Sequence, residues 1–138
     1  MRSIAGSHDL EGTRLVPILE VELTGGVSAS TRSGLAQRLA DAAGAIFGSA
    51  PGETWVRLRD THPENYAENE TDTFAAGVHP VFVRILKRAL LEGASLAQEI
   101  QALTEAVASA TGRPADQVHI AYDPPGAGRV AFGGRLVR

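Results

Sequence analysis

The chain has 138 residues, a formal charge of −3, 43% hydrophobic and 21% charged residues, so it has the composition of one ordinary globular domain and not of a disordered tail. It has no cysteine, which excludes a disulfide framework, a thiolate metal site and a cysteine nucleophile. Net acidity with only 5% aromatic residues argues against a nucleic-acid reader, and no apolar run approaches the roughly 18 residues of a membrane span.

Residues 1–16 are polar and aperiodic and read as an N-terminal arm outside the core; they hold no apolar segment of a secretory signal, so the cytoplasm is the expected location. A strand pattern starts at Pro17 and runs to Leu23, with Leu19, Val21 and Leu23 on one side and Ile18, Glu20 and Glu22 on the other. Gly25 and Gly26 end it. A helix is expected from about Ser28 or Ser30 to Phe47, with Leu35, Leu39, Ala42, Ala43 and Ile46 as its apolar stripe and Gly48 as its stop. Thr54 to Arg59 alternates again, Val56 and Leu58 against Trp55, Arg57 and Arg59. After a polar loop from about Asp60 to Val78, a third strand sets Val81, Val83 and Ile85 against Phe82, Arg84 and Leu86. Ser95 and Gln98 have the spacing of a capping box, so a second helix is expected from Ser95, with Leu96, Ile100, Leu103, Val107 and Ala110 on its buried stripe. Gly112 closes it. Val118, Ile120 and Tyr122 mark a fourth strand, and the Gly/Pro-rich tail from Pro124 to Arg138 reads as turns or a short hairpin.

The order is β-α-β, loop, β-α-β. Val56 and Val118 take equivalent places, as do Arg57 and His119; Leu39 and Leu103 match after a slip of two residues. Each unit, about 17–74 and about 81–138, predicts two parallel strands joined by a right-handed helical crossover, and two units predict an α+β domain over 17–138: a four-stranded sheet with both helices on one face. The other face then carries Glu20, Glu22, Trp55, Arg57, Arg59, Phe82, Arg84 and His119. An open parallel face of that kind is unusual, so it is expected to meet further copies of the chain. The arginines have two readings: charge partners for Glu20 and Glu22, or a guanidinium fork for a substrate carboxylate.

The strand Pro17-Ile18-Leu19-Glu20-Val21-Glu22-Leu23, its glycine turn and helix, and the tail Gly128-Arg129-Val130-Ala131-Phe132-Gly133-Gly134-Arg135-Leu136 resemble the tautomerase superfamily, in particular 4-oxalocrotonate tautomerase and the fused branch with macrophage migration inhibitory factor and malonate semialdehyde decarboxylase. The resemblance implies a homotrimer, a small 2-oxo or 2-hydroxy-dienoate acid as substrate, keto–enol isomerisation or a related hydration or decarboxylation, and no cofactor or metal. It places the catalytic proline at Pro17, with Arg84 and Arg88 and the loop residue Tyr66 as further catalytic candidates. Arg57, Lys87, His119 and Phe132 are the substrate-binding candidates. If the strand persists, Arg84 and Arg88 share a face; Lys87 points the other way and reads otherwise as a solvated strand end. Tyr66 reads equally as a loop anchor.

The family's proline is amino-terminal, whereas Pro17 follows sixteen residues and its nitrogen is an amide with no basic lone pair. Three explanations stay open: initiation at Val16, processing, or departure from the family's chemistry into a non-catalytic trimer that binds a carboxylate or a protein partner. A ferredoxin-like nucleic-acid module is a further alternative for two β-α-β units. The four histidines show no metal-ligand spacing, and no phosphate-binding glycine motif is present.

Overall fold

The computed structural model describes residues 17–138; the expected arm over 1–16 lies outside the described residues. Four strands form one sheet: β1 (Ile18–Thr24), β2 (Trp55–Thr61), β3 (Val81–Leu86) and β4 (Val118–Tyr122), in the order β2-β1-β3-β4. β1 and β2 are parallel, and so are β3 and β4, as two β-α-β units require. The central pair, β1 and β3, is antiparallel, with Ile18 opposite Leu86 and Leu23 opposite Val81. That single pairing joins the two units into one sheet.

The alternation read from the sequence puts Leu19, Val21, Leu23, Val81, Val83, Ile85 and Val118 on the covered side, where all are buried. Two long helices cover that side. Leu35, Leu39, Ala43 and Phe47 are the buried row of α2 (Leu35–Phe47), and Glu99, Leu103, Val107 and Thr111 that of α3 (Gly93–Thr111). Both rows follow the i, i+4 ridge that faces a neighbouring layer.

The first helical region is not one helix. A short α1 (Ala29–Arg32), capped by Ser28 Oγ accepting from the Thr31 N–H, stops at Ser33, and α2 starts afresh after Gly34. Gly34 has φ of 69°, a left-handed conformation that breaks the helical path. The carbonyls exposed by the break are recovered by Arg38, which donates to Ser33 O and Thr31 O at 2.6 Å each.

Helix α3 starts at Gly93, two residues before the expected cap. Its N-cap is Glu92, without a side-chain cap bond, and Ser95 is already in the first turn. Ile100, expected in the buried stripe, is 36% exposed, because the covered ridge is one residue further back, through Glu99. β2 also runs two residues past Arg59, and Thr61 Oγ1 at its end donates to Glu22. The tail forms the hairpin β5 (Ala131–Phe132) and β6 (Arg135–Leu136).

Candidate functional site

The sequence-predicted residues fall into two groups, one on the open face of the sheet and one at the end where β1 starts. The first is the open face. Register sets Arg57, Glu20 and Arg84 in one row and Arg59, Glu22, Phe82 and His119 in the next. These rows line a shallow concavity of about 660 Å³ that Pro17, Lys87 and Arg88 do not reach. Arg57 is paired with Glu20, and Arg84 Nε donates to Asp123 Oδ1 at 2.7 Å. Both pairs are exposed, and pairs of that kind contribute little stability. The reading of these arginines as partners for Glu20 and Glu22 therefore holds for Arg57 alone: Arg84 pairs with Asp123, and Arg59 makes no ion pair among the described residues.

Tyr66 joins this face from the loop after β2. Its ring is tilted against Phe82 at 5.7 Å, and Phe82 is 5.5 Å from His119, so three rings form a ladder across β3 and β4. The Tyr66 hydroxyl donates to Glu68 Oε2 at 2.5 Å, and that bond, ahead of desolvation and the Glu68 charge, pushes its pKa up to about 12. The phenol therefore stays protonated near neutrality, with its proton directed at Glu68.

The second group is at the end of the sheet where β1 starts and β3 stops. Pro17 is buried, and its carbonyl accepts from the Trp55 N–H at 3.0 Å, which fixes its place beside β2. It precedes Ile18, whose partner is Leu86, so Lys87 and Pro17 flank the last β1–β3 pair from opposite strands. The tail wraps this end: Gly126 N–H donates to Lys87 O, and Ala127 N–H to Arg88 O. Phe132 of the hairpin meets Trp55 edge-on at 5.0 Å.

Two expectations need correction here. β3 ends at Leu86, so Arg84 and Arg88 do not share a strand face; Arg88 lies in the following loop and donates through Nε to the main-chain oxygen of Arg138 at 2.7 Å. Lys87 is not a solvated strand end. It is 5% exposed, and its ammonium donates to Glu99 Oε1 at 2.8 Å while lying 5.0 Å from the centroid of the Phe47 ring. The other carboxylate oxygen of Glu99 accepts from the Tyr122 hydroxyl at 2.6 Å. Glu99 and Tyr122 were not singled out as site residues. Two signals pointed to them: Glu99 continues the Leu103–Val107 row at i, i+4 spacing, and Lys87 is the one lysine in the chain.

Burial, then the Glu99 hydrogen bond, raise the Tyr122 pKa above its ordinary 10.0. The folded state thus holds the phenolic proton more tightly than the unfolded chain. Stability from this group is complete below pH 10 and falls as pH rises past it, because only the unfolded state ionises there. In alkaline titrations followed by circular dichroism, Tyr122→Phe should lose less stability above pH 10 than the parent. Equal losses would place the effect elsewhere.

At the opposite end of the sheet, Arg113 donates to the carbonyls of His79 and Gly26, and desolvation lowers its pKa. Among the described residues no group of three or more His, Asp or Glu is arranged to hold a metal ion, and no helix is long and apolar enough to cross a membrane.

No family model matches the chain, and no curated protein matches it. Solved structures do match. The F6 fused 4-OT wild-type asymmetric trimer aligns at a TM-score of 0.72 with 20% identity, over 87% of this chain and 95% of that one. Pt0534 inactivated by 2-oxo-3-pentynoate aligns at 0.67 with 19% identity, over 87% and 95%. A macrophage migration inhibitory factor homologue from Prochlorococcus marinus aligns at 0.66 with 14% identity, over 88% and 99%. Sheet order, helix layer and these alignments agree, and the chain has the fold of the tautomerase superfamily.

Proposed function

We propose that residues 17–138 form one tautomerase domain that interconverts the keto and enol forms of a small 2-oxo acid, with Pro17 as the base once its nitrogen is an amine. The observation that carries the reading is the place of Pro17: buried at the head of the central strand β1 and anchored through its carbonyl to β2. A secondary amine there takes the enol hydroxyl proton and returns it to carbon, so the proton leaves oxygen and arrives at C3 with no cofactor. Arg88, engaged through Nε alone among the described residues, is the carboxylate fork at this end. Arg57, Arg84, His119 and Tyr66 belong instead to the open face.

That face supports the assembly part of the proposal. Its rows alternate in sign, Arg57–Glu20–Arg84 and Arg59–Glu22, and an uncovered sheet face of this kind is suited to further copies of the chain. Structural neighbours described as fused 4-OT trimers point to a homotrimer. Light scattering should give about three times 14.5 kDa at micromolar concentration, and Glu20, Glu22 and Arg57 should be shielded from solvent in the assembly. A monomer would overturn the assembly.

A second reading rests on the covalent structure at Pro17. While Val16 is attached, the nitrogen is an amide, and the fold then serves as a non-catalytic carboxylate- or protein-binding trimer. The deciding experiment compares the full chain with a chain that begins at Pro17, assayed for ketonisation of an enol such as phenylenolpyruvate.

A further inference from the structure

We propose that the buried Lys87–Glu99–Tyr122 network is a positioning device that sets the basicity of the Pro17 nitrogen, holding a cation beside it so that the amine stays unprotonated and ready to accept a proton. The inference rests on the reading of Pro17 as the acting group.

The placement comes from register. Pro17 and Lys87 flank the Ile18–Leu86 pair on adjacent antiparallel strands, and opposed residues of such strands have Cα atoms roughly 5 Å apart. Strand alternation puts both on the helix-covered side, with Leu19 and Ile85, and both are buried. The groups facing this spot are Lys87 from β3, Glu99 from α3, Tyr122 from β4, the uncharged Phe47 ring from α2 and, in the loop just beyond, Arg88. Lys87 is thus the charged residue that register sets opposite Pro17, and Glu99, itself held by Tyr122, fixes its ammonium.

The duplication supplies an internal control. The spacing that sets Val118 on Val56 also sets Lys87 on Gly25, Tyr122 on Asp60 and His79 on Pro17. The spacing that sets Leu103 on Leu39 sets Glu99 on Leu35. At the second end of the sheet the network is therefore replaced by a glycine, an aliphatic side chain and an exposed aspartate paired with Arg32. A Cβ on Gly25 would approach His79 Nδ1 to 3.0 Å, so that end has no room for a lysine. One fold built twice carries the ion pair only where Pro17 stands. A buried pair is a weak source of stability, and its restriction to one end points to a local electrostatic task.

The test uses chains that begin at Pro17. Residues 17–138 contain the whole described core, from Leu19 to Val137, so such a chain keeps its fold, and circular dichroism checks this. The readout is the protonation midpoint of Pro17, followed by NMR of 15N-labelled proline. Lys87→Met leaves the Glu99 anion facing the amine and should raise the midpoint by about one pH unit or more, a tenfold loss of free base at neutral pH. The charge-free double variant Lys87→Met/Glu99→Leu should titrate between the parent and Lys87→Met. If Lys87→Met does not fold, the double variant against the parent still decides. A double variant or single variant titrating with the parent overturns the proposal. Enol turnover is measured in parallel: parent chains whose midpoint obeys this order but which lack activity refute the tautomerase reading and leave the network's role standing.

Discussion

A chain that begins at Pro17 should ketonise phenylenolpyruvate about a hundredfold or more faster than the full 138-residue chain. The size of the effect follows from bonding and not from fit. In the full chain the Pro17 nitrogen is acylated by Val16, and an amide lone pair is delocalised into its carbonyl. Freeing it creates a base where none existed. Pro17→Ala in the short chain keeps an amino-terminal amine at the same place, but a primary one, and should retain a trace of the activity. Equal turnover by the two chains would eliminate Pro17 as the base and direct attention to His119 and Glu20. Inactivity of both would favour the binding reading.

The second large effect is on stability. Lys87→Ala in the full chain should destabilise it by about 3–5 kcal/mol, lowering the melting midpoint by about 10 °C or more. The reason is what remains: Glu99, 8% exposed, would be left with only the Tyr122 hydroxyl as partner, and loss of the lysine stem against Phe47 would leave a cavity. Lys87→Met/Glu99→Leu removes both charges and fills the space with apolar atoms, so it should fall within about 1 kcal/mol of the parent. Guanidinium melts of the parent and the two variants measure the contrast. If the double variant is as damaging as Lys87→Ala, the pair stabilises the fold outright; if both are harmless, the pair is exposed in solution.

Much of this architecture is written in local patterns. Alternation at 18–23, 55–59, 81–86 and 118–122 assigns the strands and their buried sides, because side chains at a period of two must divide between water and a core. The apolar stripes from Leu35 to Ile46 and from Leu96 to Ala110 assign the helices in the same way. The spacing between equivalent valines shows the duplication, and with it the parallel pairing inside each unit. The resemblance of the first strand and the tail hairpin to a known family led to the fold that the solved structures match.

Other features were settled only in three dimensions. The antiparallel β1–β3 pairing leaves no local trace, since a buried strand reads alike in either direction, yet it is what brings Lys87 to Pro17 and separates both from Arg57, Arg84 and His119. The break at Gly34 depends on Arg38 reaching back to two carbonyls, a contact that helical periodicity does not encode. Lys87 and Glu99 look like surface residues because charge normally stays in water. Their burial requires a partner, and the partners come from β3, α3 and β4, elements distant in sequence that only the closed sheet brings together.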